Sequence, residues 1–138
     1  MPGGAVDEPS RARCDDPPPP ELLEGIEQFN KGAFFEQHET LELLWRDTRT
    51  RERSLYHGIL QVGVGFHHWR NGNFHGASTL LDEGIERLRP FAPSCQTVDV
   101  ARLIADATDA RERLEELGQA SMHAVDVAAL APQIRFTR

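Results

Sequence analysis

The sequence predicts an all-α fold, a compact array of about five helices built from αα-hairpins. Three observations predict it. After residue 20, apolar residues recur at spacings of three and four, the period of an amphipathic helix. Turn signals fall between these stretches, at Gly32, at Asn71-Gly72-Asn73 and at Pro90 and Pro93. No stretch alternates apolar and polar residues for long enough to form a sheet.

Each element follows from that pattern. Residues 1–20 are rich in Pro, Gly, Asp and Arg and end in four consecutive prolines. Such a segment cannot bury enough apolar surface to offset its ordering entropy, so a disordered arm is expected there. A first helix is expected over 21–30, with Leu22, Leu23, Ile26 and Phe29 inward. Gly32 suits the left-handed turn after it. A second helix over 33–48 carries Phe34, Leu41, Leu44 and Trp45 on its stripe. A charged connector, 46–53, leads to a third helix over 54–70, with Leu55, Ile59, Val62, Phe66 and Trp69. A fourth, over 74–89, presents Ala77, Leu80, Leu81, Ile85 and Leu88. Thr97 is a candidate cap for a fifth helix ending near Gly118. The helical domain therefore spans 21–117, and 118–138 reads as a small-residue tail, extended over 132–136. Gly32-Ala33-Phe34 and Gly72-Asn73-Phe74 form a weak internal repeat, read as two similar αα-turns.

Composition narrows the function classes. A chain of 138 residues suits one domain. Its net charge of −7 supplies no general electropositive surface, so nucleic acid and anionic membranes are not the expected partners. No apolar run reaches the roughly 20 residues of a membrane span. Cys14 and Cys95 form no zinc-type spacing. A reduced, cytoplasmic protein is expected.

The segment with most chemistry is His38-Glu39-Thr40-Leu41-Glu42-Leu43-Leu44-Trp45. On a helix, His38, Glu42 and Trp45 stack along one line at i, i+4 and i+7. Histidine and glutamate at this spacing can share a proton or a metal ion. Two ligands are too few for a protein site. On the third helix, His57, Gln61 and His68 share a face, with His67 about 100° away. If the two helices pack antiparallel, the best metal set is His38, Glu42 and His68, supported by His57, Gln61, His67 or Trp45. Zinc, iron, nickel or manganese would suit it. The competing reading is a hydrogen-bonded structural network with no ion, and it ranks slightly ahead. Position 42 is Glu where a zincin would need its second His, and no nucleophile elbow, P-loop or dinucleotide fingerprint occurs.

The stretch from Phe29 to Arg46, with its His-x3-Glu-x2-Trp spacing at His38, Glu42 and Trp45, resembles an uncharacterised bacterial and archaeal family. That family is catalogued as domain of unknown function three hundred and nine. A second block, Gly58-Ile59-Leu60-Gln61 leading to His67-His68, Gly72-Asn73 and Gly76-Ala77, extends the resemblance over about residues 21–117. It implies a small helical fold, a suspected metal site and the label of a metal-dependent hydrolase. The family carries one histidine where this chain has the neighbours His67 and His68.

Two functional expectations result. One is a divalent-metal site used in hydrolysis, in which the ion lowers the pKa of a bound water. The other is a non-catalytic module that binds a small molecule, a peptide or a second copy of itself, in a groove lined by Trp45, Trp69 and Phe74. Arg46, Arg49, Arg51 and Arg53 form a basic cluster suited to phosphate or carboxylate. Asp47 and Glu52 partly neutralise it, and a solvated loop is its first reading.

Overall fold

A computed structural model describes residues 13–137. It is an array of helices: α1 (Pro20–Asn30), α2 (Phe34–Asp47), α3 (Arg53–Arg70), α4 (Phe74–Leu88), α5 (Val100–Ser121) and the one-turn α6 (Val127–Leu130). A two-residue hairpin, β1 (Ser94–Cys95) and β2 (Val98–Asp99), sits between α4 and α5. The all-α expectation holds, and helices one to four end within a residue of where the sequence placed them.

The turns explain the first four boundaries. Gly32 and Gly72 both adopt positive φ, 78° and 77°, a conformation glycine reaches without steric cost. Asn73 then caps α4 by accepting from Gly76 N at 2.9 Å. The start of α5 is different. Its cap is Asp99, whose carboxylate accepts from Arg102 N. Thr97 instead sits in the hairpin at φ 64°. The hairpin was invisible to period-based reading because two-residue strands show no alternation.

Consecutive helices run antiparallel. Leu41 of α2 fills the space over Gly25 of α1, and Leu88 of α4 covers Gly58 of α3. Phe29, Phe34, Phe66 and Trp69 form one aromatic cluster, with neighbouring centroids 5.4–6.2 Å apart. All four are essentially excluded from solvent, and each such burial contributes about 1.5–3 kcal/mol. Trp69 also donates its indole N–H to Met122 O at 2.7 Å, which docks the segment after α5 against α3. That tail continues as a short 3-10 turn and α6, then runs extended, with a bridge between Phe136 and Val98.

Three expectations need correction. Residues 1–12 lie outside the described residues, but Arg13–Pro19 are not a free arm. Cys14 is joined to Cys95 by a disulfide across 81 residues of chain. Cys14 O accepts from Gln96 N at 2.7 Å, and Gln96 in turn bonds Tyr56 OH at 2.8 Å. Two cysteines so far apart in sequence gave no spacing signal. Their pairing removes the premise of unpaired thiols on which the cytoplasmic expectation rested. Leu23, expected inward, is 44% exposed, because Leu22 and Ile26 already fill the inward face of α1. Among the described residues no helix is long and apolar enough to cross a membrane.

Candidate functional site

Helix α3 is the centre of the candidate site, flanked by α2 on one side and α4 on the other. Its glycines allow this. A Cβ on Gly63 would collide with Gln37 of α2, and one on Gly65 would meet Leu81 of α4 at 2.9 Å. Both neighbours therefore approach closely, and the side chains around the α3 circumference are divided between them.

On the α2 side, Gln37 is fully buried. With its carboxamide oriented so that oxygen and nitrogen both find partners, it donates to Ile59 O at 3.1 Å and accepts from His38 N at 3.0 Å. That fixes α2 against α3 and leaves His38, one position on, at the edge of the interface. His38 Nε2 lies 3.4 Å from Glu42 Oε1, and Glu42 Oε2 lies 3.6 Å from Arg46. The spacing seen in the sequence thus does bring His38 and Glu42 together. Both side chains are more than a third exposed, at 38% and 37%. One turn further on, Trp45 stacks on His57 of α3, with centroids 4.4 Å apart, and Arg53 lies 4.9 Å above the same indole. Burial, with Arg87 and Arg53 nearby, pushes His57 down to about 4. It is neutral at pH 7.

The two adjacent histidines separate. His67 turns toward α2: its ring lies 6.1 Å from Phe35, which is also 6.5 Å from His38. Burial is the main reason its pKa falls, helped by Arg70, His68 and His38. Asn71 contacts His67 Nε2 at 3.2 Å, and His67 Nδ1 is buried with no partner among the described residues. His68 turns toward α4, where Asn73 lies 3.3 Å from its Nδ1 and Gly76 leaves room for its ring. Gln61 also faces α4, donating to Glu83 at 3.1 Å and accepting from Arg87 at 2.9 Å.

The expected metal set is therefore divided. His38 and Glu42 sit on the α2 side, His68 and Gln61 on the α4 side, and His57 under Trp45. Among the described residues no group of three or more His, Cys, Asp or Glu side chains is arranged to hold a metal ion. The side chains as placed fit a two-donor pair, not a closed metal centre. The groove of Trp45, Trp69 and Phe74 does not form either, because Trp69 is 1% exposed in the core.

What the sequence reading missed is the outer face of α2. Phe35 is 53% exposed and Leu43 57% exposed. They lie eight residues apart, about 80° in projection, with Glu39 and Arg46 between them. The available signal was that both are apolar yet fall off the inward stripe of Phe34 and Leu41.

Fold and site together define a small all-α protein of antiparallel helical hairpins with a mixed polar and apolar surface on α2 and α3. Residues 22–80 match the family model described as "Domain of unknown function (DUF309)", the family the sequence resembles. The match runs from the first turn of α1 to the middle of α4 and contains Phe35, His38, Glu42, Leu43, Trp45, His57, Gln61, His67 and His68. No curated protein is matched by the chain.

Proposed function

We propose that this protein is a non-catalytic recognition module, and that the outer face of α2 takes a basic amphipathic helix of a partner protein. The observation that carries the reading is the pair Phe35 and Leu43, both more than half exposed on one helical face. Exposed apolar side chains about two turns apart on one helix are anchors that the apolar stripe of a partner helix can cover. The flanking charge selects the partner. Glu36 and Glu39 are in no ion pair among the described residues, and the whole chain carries −7. A partner with basic residues beside its apolar stripe complements that face. His38, Glu42 and Arg46 form the ordered rim of the surface, and Trp45 with His57 holds the helix carrying it in place.

The test uses a synthetic Leu/Lys amphipathic helix as probe, followed by fluorescence anisotropy. Phe35→Ser with Leu43→Ser should weaken binding at least about tenfold. Phe136→Ser, a change at an exposed apolar residue remote in sequence, should leave it unchanged. Equal loss in both variants would sink the proposal.

A second reading, a metal-dependent hydrolase, is favoured by one observation: the buried, unpartnered Nδ1 of His67 on the α2 side. In that reading His38, Glu42 and His67, rather than His68, would hold zinc, iron, nickel or manganese. The ion would supply an activated water near neutral pH. Elemental analysis of the purified protein beside His38→Ala with Glu42→Ala decides it. Near-stoichiometric metal lost from a folded variant supports it, and a metal-free parent after incubation with all four ions rules it out.

A further inference from the structure

We propose that the cleft between the end of α2 and the start of α3 binds a small phosphate-bearing molecule. Among the described residues the cleft is lined by Arg46, Thr48, Arg49 and Arg53 and has a volume of about 290 Å³. Three arginines thus line one cleft in a chain whose overall balance is strongly acidic. Arg46 also borders the docking face on α2, but Thr48, Arg49 and Arg53 lie outside that face, and the docking reading carries no part of this inference.

The donors are held but not used up. Arg53 Nε donates to Thr48 O at 3.1 Å, and its guanidinium rests on the Trp45 indole. Its two terminal nitrogens make no hydrogen bond among the described residues. Arg46 engages Glu42 through one terminal nitrogen at 3.6 Å, long for a hydrogen bond. Arg49 has neither an ion pair nor a hydrogen bond among the described residues. Thr48 gives its hydroxyl proton to Leu44 O at 2.7 Å, so its oxygen is left as an acceptor.

The nearby carboxylates neutralise the group only in part. Glu52 is buried and accepts from the Thr50 hydroxyl. Glu42 is shared with His38. Asp47 does not line the cleft. Like charges brought together with only partial counter-charge, here Glu42 beside Arg46 at 3.6 Å, repel, which favours a bound anion. A tetrahedral phosphate fits best, because a guanidinium fork binds two of its oxygens at once and three forks can share them. Thr48 would accept from a protonated phosphate oxygen or an alcohol of the ligand. The volume lies at the lower end of ordinary ligand sites, roughly 300–1,000 Å³, so the ligand is small.

The experiment is calorimetric titration of the full chain at low ionic strength, with inorganic phosphate and with glycerol 3-phosphate as separate probes. Saturable binding with Kd of about 1 mM or tighter is expected for at least one probe. Binding of phosphate alone would show that the cleft reads the group by itself. Tighter binding of the ester would show that it also reads the organic part, and either supports the site. Arg49→Gln is solvent-exposed, and its fold is checked by circular dichroism. It should weaken binding about tenfold, with a larger loss in Arg46→Gln, Arg49→Gln. Added chloride should weaken it as well. No saturable binding up to ~10 mM of either probe, or unchanged binding in the double variant, overturns the proposal.

Discussion

Trp45 lies against His57, with ring centroids 4.4 Å apart and planes inclined by 29°. The contact joins α2 to α3 at the end opposite His38 and His67, so the two helices are held at both ends of their shared surface. It also covers an imidazole that burial and two arginines keep unprotonated, with its pKa at about 4.

The lowered pKa of His57 makes stability depend on pH. Its proton affinity is lower folded than unfolded, where the reference is about 6.5. The unfolded chain therefore binds the extra proton first as pH falls. The contribution is fully present above pH 6.5 and is lost between 6.5 and about 4. Urea midpoints measured across that window should drop more steeply for the parent than for His57→Phe. Parallel curves would mean that His57 titrates normally.

Much of this architecture was legible in the sequence, because α1 to α4 are set by local signals. Three-and-four spacing marks Leu22, Ile26 and Phe29, and Gly32, Gly72 and Asn73 mark the breaks. His38 and Glu42 were legible for the same reason, since a pair at i and i+4 depends only on helix geometry. His67 and His68 were not. Adjacent positions differ by about 100°, and only the packing of α2 and α4 decides which faces which. The Cys14–Cys95 link and the Tyr56–Gln96 bond join positions 81 and 40 residues apart, and nothing local announces either.

The disulfide should carry a large share of stability. In the chain-entropy model, a link of this span restricts the unfolded state by about 4 kcal/mol. Cys14→Ser with Cys95→Ser should lower the urea midpoint accordingly, and a reducing agent should shift the parent but not the variant. A midpoint indifferent to both changes would show that the link does not stabilise the fold.

The close approach of α3 and α4 should make Gly84 intolerant. A Cβ there would stand 2.9 Å from Gly58 O and 2.8 Å from a Val62 methyl. Gly84→Ala gains about 1 kcal/mol of helix propensity but must push two helices apart, at about 1–3 kcal/mol. Net destabilisation is expected in chemical unfolding. Gly72→Asn separates the two causes: nothing lies within 4 Å there, so any loss reports only the strain of φ 77°, which Asn bears better than most residues.

The His38–Glu42 pair should matter little to the folded state. Both groups are more than a third exposed, and exposed pairs contribute about 0–1 kcal/mol. His38→Ala and Glu42→Gln should therefore each shift the unfolding midpoint only slightly. A loss well beyond 1 kcal/mol would mean that the pair belongs to a buried network or holds an ion.

The central claim is that the outer face of α2 is the recognition surface. Amide chemical shifts of the labelled full chain, followed during titration with the Leu/Lys helix, test it most directly. Saturable shifts concentrated on residues 35–46 are expected, with α5 and the extended segment 132–137 unchanged. Shifts scattered over the acidic surface without saturation, or centred away from Phe35 and Leu43, would contradict it.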